Sequence, residues 1–298
     1  MKFKRLRPFL AGVLARADRL GVVSLEKWIR TDSLKHAVLP ILVERGEDPS
    51  TLIIAFAGGA QKIGVPIHDF FETTQTLGCS KILLRDPHNL FYHYGVDSQR
   101  RDWPSLIAYL KEETARLRPS KVFCVGSSGG GYAAIIAGYF LGADFVHAFG
   151  PQTLIAVDRE GIRNARHPYK RWRLSMSKRA LREAFDLAAL LKKSNGKTAY
   201  FVHYGSGHKI DGDFAARLAC LPGVITLGYP CEAHAIAIFL AKKRFLQTVL
   251  QLKNQDRFVE MARAHFAGKM VITPSVADRF IPADEPSAGK QPWRRPMM

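Results

Sequence analysis

VFCVGSSGGGYAAIIAG, residues 122–138, passes from a β-rich apolar run to a helical pattern through Gly-Ser-Ser-Gly-Gly-Gly. A phosphate-binding loop would place a Lys-Ser or Lys-Thr pair after its glycines, and here Tyr132 and Ala133 follow. A dinucleotide-binding turn would need glycine where Ser128 stands and an acidic residue ending the next strand, which instead ends AFG (148–150). The remaining reading is Gly-x-Ser-x-Gly at residues 126–130, a turn so tight that its flanking positions exclude a Cβ. It would lift one side chain to the carboxyl edge of a sheet, with a helix N-terminus behind it. The register selects Ser128, because Val125 would have to be glycine for Ser127 to be central. Ser127 then reads as a turn residue. A plain structural glycine turn is the alternative.

A serine hydroxyl is a poor nucleophile unless a base takes its proton and an acid fixes the tautomer of that base. With a turn of this kind, the partners should follow in the order acid, then histidine, each just beyond a later strand. TAYFVHYG (198–205) leads into SGHKIDGD, which supplies Asp211 and Asp213. GVITLGYP (223–230) leads into CEAHAIAIF, which supplies His234. Asp213 directly precedes an apolar helical pattern and reads as its cap, which leaves Asp211 as the acid. Glu232 is too near His234 in the chain to orient it easily. His203, His208 and Asp211 form an alternative metal-ligating set, but their spacing matches no helical ligand pair. Backbone donors for a developing oxyanion are expected at Gly129 and at Gly58 or Gly59 in AFAGGAQKIG (55–64). The aromatics of RDPHNLFYHYG (85–95), with His88 and His93, read as pocket-shaping.

Around these motifs, strands alternate with helices. Runs at 51–58, 81–86, 121–126, 144–150, 198–205 and 223–230 read as six strands. Helices are expected at 105–118, after Gly129, at 180–194, from Asp213 to Leu221, and as one long closing helix over 233–252. The fold class is α/β: a mostly parallel six-stranded sheet with helices on both faces. Residues 1–50 read as a helical N-terminal segment and 51–252 as the sheet domain. Residues 253–298 read as a further helix (254–267) and a disordered tail.

The 298 residues carry a formal charge of +18 and 47% hydrophobic content, enough apolar material for a full core. No stretch is apolar for the ~18 residues that a membrane helix needs. MKFKRLRPFLAGVLARAD reads as a basic amphipathic helix rather than a cleaved signal, a candidate for peripheral contact with an anionic membrane. The four cysteines are widely spaced, so a reducing cytoplasm is the expected location. The basic residues accompany no nucleic-acid-binding signature.

The elbow Gly-Ser-Ser-Gly-Gly-Gly-Tyr (126–132), the turn Phe-Gly-Pro-Gln (149–152) and the run Asp-Gly-Asp-Phe-Ala-Ala-Arg-Leu (211–218) carry a resemblance. The chain from about 51 to 250 resembles the α/β-hydrolase superfamily, and these runs resemble a bacterial subgroup associated with surface glycans and accessory secretion. The resemblance implies an esterase-type site at Ser128, Asp211 and His234, acting on a small-molecule or glycan ester without cofactor or metal. One departure is Ala-Gly-Gly-Ala (57–60), where many esterases carry His-Gly-Gly. A non-catalytic binding or assembly protein on the same fold is the alternative function.

Overall fold

The structure, a computed structural model, describes residues 40–65, 70, 74–155, 177–250 and 257–273. The N-terminal helix expected before residue 40, the basic run YKRWR and the tail beyond 273 lie outside the described residues.

Eight strands form one sheet: β1 (Ile41–Glu44), β2 (Asp48–Phe56), β3 (Cys79–Leu84), β4 (Lys121–Ser127), β5 (Phe145–Phe149), β6 (Ala199–Gly205), β7 (Val224–Tyr229) and β8 (Val271–Thr273). Their spatial order is β1-β3-β2-β4-β5-β6-β7-β8. The six inner strands are parallel and coincide with the six expected from sequence. Both edge strands are antiparallel additions. Strand β1 falls inside the segment read as helical, and β8 follows the expected domain end, so the sheet extends past both boundaries. Four- and three-residue strands carry too few residues to show a period of two.

The inner strands are apolar without a break because both faces are covered. Leu52, Ile54 and Phe56 point to one side, where they pack with α1 (Trp103–Leu117) and α2 (Gly129–Leu141). Ile53 and Ala55 point to the other, toward α5 (Ile236–Lys242), α6 (Leu246–Leu250) and α7 (Phe258–His265). Between these lie the short α3 (Leu187–Leu191) and α4 (Lys209–Ala216). Helix α1 starts at a reciprocal cap, in which the Asp102 carboxylate takes the Ser105 amide at 2.9 Å and the Ser105 hydroxyl takes the Asp102 amide at 3.2 Å.

Three expected helices are shorter than their patterns. The closing helix divides into α5 and α6 at Lys243 and Arg244, where Arg244 adopts φ 57°. The 180–194 run holds a 3₁₀ turn (Arg182–Ala184) and α3, which begins where Asp186 caps the Ala188 and Ala189 amides. The helix placed from Asp213 onward instead starts at Lys209.

From β2 the chain crosses to β3 on one side and then returns to β4 on the other. The carboxyl ends of β2 and β4 therefore flank a crevice at the point where strand order reverses, the preferred place for a site in an open α/β sheet. Gly58-Gly59 follows β2, and Ser128 follows β4.

Candidate functional site

Ser128 occupies the turn between β4 and α2 with φ 55° and ψ −118°, a conformation that ordinarily costs a non-glycine residue about 1–3 kcal/mol. The turn is over-determined by its neighbours. The Ser128 amide donates to the Phe149 carbonyl at 2.8 Å, and the Ser128 carbonyl accepts from the Tyr132 amide at 3.1 Å. A Cβ on Gly126 would lie 2.1 Å from the Gly130 carbonyl oxygen, and one on Gly130 would lie 2.1 Å from the Phe56 carbonyl oxygen. The glycines therefore let β4, α2 and β2 meet backbone to backbone. Ser127, expected as a turn residue, is instead the buried last residue of β4, because the strand continues to the edge of the turn.

Three side chains distant in sequence converge at this edge. His234 Nε2 is 3.3 Å from Ser128 Oγ, and His234 Nδ1 is 2.8 Å and 3.0 Å from the two oxygens of Asp211. A carboxylate only accepts, so its partner Nδ1 carries the proton, and the Nε2 lone pair faces the serine hydroxyl. The Asp211 side chain is 2% exposed and that of His234 39%, which leaves the imidazole reachable by substrate and the acid sheltered. His234 does not open a helix. It sits in the turn before Ala235, the N-cap of α5.

Asp213 does not cap α4. The cap is His208, whose Nδ1 accepts the Asp211 amide at 3.2 Å, while Asp213 lies mid-helix and pairs at the surface with Lys209 at 3.0 Å. Glu232 is exposed. Gly150, after β5, was not singled out by sequence reasoning. It adopts φ 53°, and a Cβ there would lie 3.1 Å from Asp211 Oδ2 and 3.4 Å from His234 Cε1. The Phe149-Gly150-Pro151 turn was the available signal.

Gly129 is the first residue of α2, in the turn whose amides lack intrahelical partners. Gly58 corrects an expectation: its amide donates to the Lys62 carbonyl at 2.8 Å and is committed to the local turn. Gly59, the other member of the pair, is exposed beside the Asn89 side chain.

The loop after β3 is held by buried polar groups. The Asp86 carboxylate accepts the amides of His88 (3.0 Å), Leu90 (2.6 Å) and Tyr92 (3.0 Å), and burial raises its pKa. Tyr132 hydroxyl donates to the Ala184 carbonyl at 2.9 Å and so accepts from His93 Nε2 at 2.8 Å. His93 Nδ1 takes the Leu181 amide at 3.1 Å, and burial lowers the His93 pKa to about 3. His93 is thus a neutral structural bridge, and His88 is exposed. Phe91 stacks edge-on against Tyr132 beside Gly129.

The expected metal alternative is not assembled as drawn. His203 is fully buried between His147 (3.0 Å) and the Tyr229 hydroxyl (2.8 Å). His208, Asp211 and His234 instead bring ligating atoms within 4.8 Å of one another. In that cluster the Nδ1 lone pair of His208 already takes the Asp211 amide, and His234 Nδ1 already bonds the carboxylate, so each ligand is committed to a hydrogen bond. All four cysteines are free, and Cys124 lies inside the core with its thiol pKa raised by burial. Among the described residues, no helix is long and apolar enough to cross a membrane.

No family model matches the chain, and no curated protein matches it. Among solved structures, it is similar to an α/β hydrolase enzyme from the metagenome of lagoon sediments at Mar Chica, Morocco. That pair has 19% identity and a TM-score of 0.46, covering 72% of this chain and 95% of that one. It is also similar to the capsule O-acetyltransferase of Neisseria meningitidis serogroup A, with 16% identity, TM-score 0.45, and coverage of 70% and 90%. A third is MenH from S. aureus, with 10% identity, TM-score 0.48, and coverage of 75% and 98%. At these scores the likenesses carry no argument about activity. The strand order, the glycine-flanked turn at Ser128 and the helices on both faces themselves give the chain an α/β-hydrolase-like fold.

Proposed function

We propose that the protein is a serine hydrolase of carboxylic esters, an acyl- or acetyl-esterase for a glycan-related or other polar substrate. The observation that carries this reading is the continuous hydrogen-bonded line Asp211–His234–Ser128, ending on a serine held in a strained turn. Ser128 Oγ attacks the acyl carbon as its proton passes to His234 Nε2, and a tetrahedral oxyanion forms. The Gly129 and Gly59 amides stabilise that oxyanion. Asp211 stabilises the imidazolium through Nδ1–H. Collapse breaks the bond from acyl carbon to alkoxy oxygen, and His234 returns the proton to the leaving alcohol. Water then attacks the acyl-enzyme by the same proton route and regenerates Ser128. His234 Nε2 stands 3.3 Å from Ser128 Oγ, a contact that substrate binding would tighten for proton transfer.

The charge of +18 favours an anionic substrate carrier or surface, and a cytoplasmic, membrane-peripheral site of action fits it. The test is a series of p-nitrophenyl esters from acetyl to octanoyl, assayed with wild type and Ser128→Ala. Turnover lost in the variant supports the reading, and equal turnover in both opposes it.

A further inference from the structure

The geometry points to His208 as the positioning residue for Asp211, acting as a proton-sensitive clamp on the acid of the site. This inference rests on the esterase reading. Helix α4 begins at His208, where serine, threonine, aspartate or asparagine is the usual cap. Those residues accept through an oxygen at neutral pH, whereas an imidazole accepts only while one ring nitrogen is unprotonated. Here that nitrogen is Nδ1, which takes the Asp211 amide at 3.2 Å, so His208 caps as the Nε2–H tautomer.

Asp211 is the third residue of α4, the position that in a reciprocal cap returns its side chain to the cap residue's amide. That return is missing. The His208 amide donates to the Gly205 carbonyl at 2.9 Å, and the Asp211 carboxylate turns to His234. His208 therefore fixes the backbone of Asp211 without occupying its carboxylate.

The same Nδ1 lies 3.3 Å from Asp211 Oδ2, the oxygen nearest His234 Nδ1. A proton on His208 Nδ1 ends its acceptance of the amide and creates a donor aimed at Oδ2. The cap is lost, and two imidazoles compete for one oxygen. The His208 ring centroid is 5.6 Å from that of His234, so two charged rings would also repel. The other charged groups facing His208, among the described residues, are few. Lys209 and Asp213 pair with each other on α4, and Glu232 packs beside Gly207 on the loop after β7. The His208 side chain is 28% exposed, so protons reach it. Full activity then requires two neutral imidazoles, His234 as base and His208 as clamp.

The test is the pH dependence of kcat/KM for a p-nitrophenyl ester, over the range where circular dichroism shows the fold intact. Wild type should fall on the acid side more steeply than one proton alone allows, with an added loss of about fivefold or more where His208 is charged. His208→Asn, which caps without titrating, should fall with a slope of 1 relative to its own plateau. His208→Ala should have a kcat about fivefold below His208→Asn with similar KM, because the cap is gone. The same slope in wild type and His208→Asn would overturn the inference. Independently of any variant, nitrogen-15 imidazole NMR of wild type at pH 8 should show His208 as the Nε2–H tautomer, and the Nδ1–H tautomer would overturn it. If wild type turns over ester but these results fail, the clamp is wrong and the esterase reading stands. If no ester is turned over, the esterase reading itself has failed.

Discussion

Asp211 Oδ2 lies 2.8 Å from His234 Nδ1, while Asp213, two residues further along the same helix, points to solvent and pairs with Lys209. The two carboxylates therefore have separable roles. Asp211→Asn should lower kcat by about three to four orders of magnitude with the fold retained, because the imidazole loses its fixed tautomer and the stabilisation of its charge. Asp213→Asn should change kcat less than twofold and stability by less than about 0.5 kcal/mol, since it removes only an exposed i,i+4 pair. Steady-state kinetics and urea melts of the two variants check both.

Gly150 holds open the space beside the Asp211–His234 pair. Gly150→Ala would place a methyl 3.1 Å from Asp211 Oδ2 at a backbone φ of 53°, so both the strain and the contact fall on the site. We expect a stability loss of about 1 kcal/mol and a drop in kcat of roughly 10- to 100-fold. Thermal melts and kinetics on the same preparation test this, and an unchanged kcat would remove Gly150 from the account.

Gly130 tests the turn rather than the chemistry. Gly130→Ala forces a Cβ to 2.1 Å from the Phe56 carbonyl oxygen, a backbone contact that no rotamer relieves. The variant should lose about 2–4 kcal/mol or fail to accumulate as folded protein. A variant as stable as wild type would contradict the packing of α2 against β2.

Buried His93 makes stability depend on pH. In the folded chain it stays neutral down to about pH 3, whereas in the unfolded chain it gains a proton near pH 6.5. Between those values the unfolded state binds more protons, so stability is complete above about 6.5 and declines as pH falls toward 3. His203, also lowered by burial, acts in the same direction. Urea midpoints should therefore drop between pH 7 and pH 4.5. His93→Gln should be less stable at pH 7 but show a shallower decline, and an equally steep decline would contradict the assignment.

The sequence made the six inner strands legible because each is a continuous apolar run with a glycine or proline at or near its end. The convergence of Ser128, His234 and Asp211 is legible because the order expected of such a site places each just after a strand. The edge strands were hidden by brevity. The break at Lys243–Arg244 was hidden because apolar residues continue on both sides of it, and only the backbone of Arg244 reveals the interruption. Capping rules favour Asp213 as a cap and so Asp211 as the acid, but an imidazole caps α4, because those rules look for a side-chain oxygen. Gly58 departs from its expected role for a related reason: glycine permits an amide to face a site, but this amide is already bonded to the Lys62 carbonyl.

The central claim is that Ser128 is a nucleophile activated by His234. The direct measurement is intact-protein mass spectrometry after treatment with a fluorophosphonate at pH 8, on wild type, Ser128→Ala and His234→Ala. Wild type should gain one phosphonyl adduct, mapped by peptide sequencing to Ser128. Ser128→Ala should gain none, and His234→Ala should react at least 100-fold more slowly. Folded wild type that gains no adduct, or an adduct that persists in Ser128→Ala, would contradict the account.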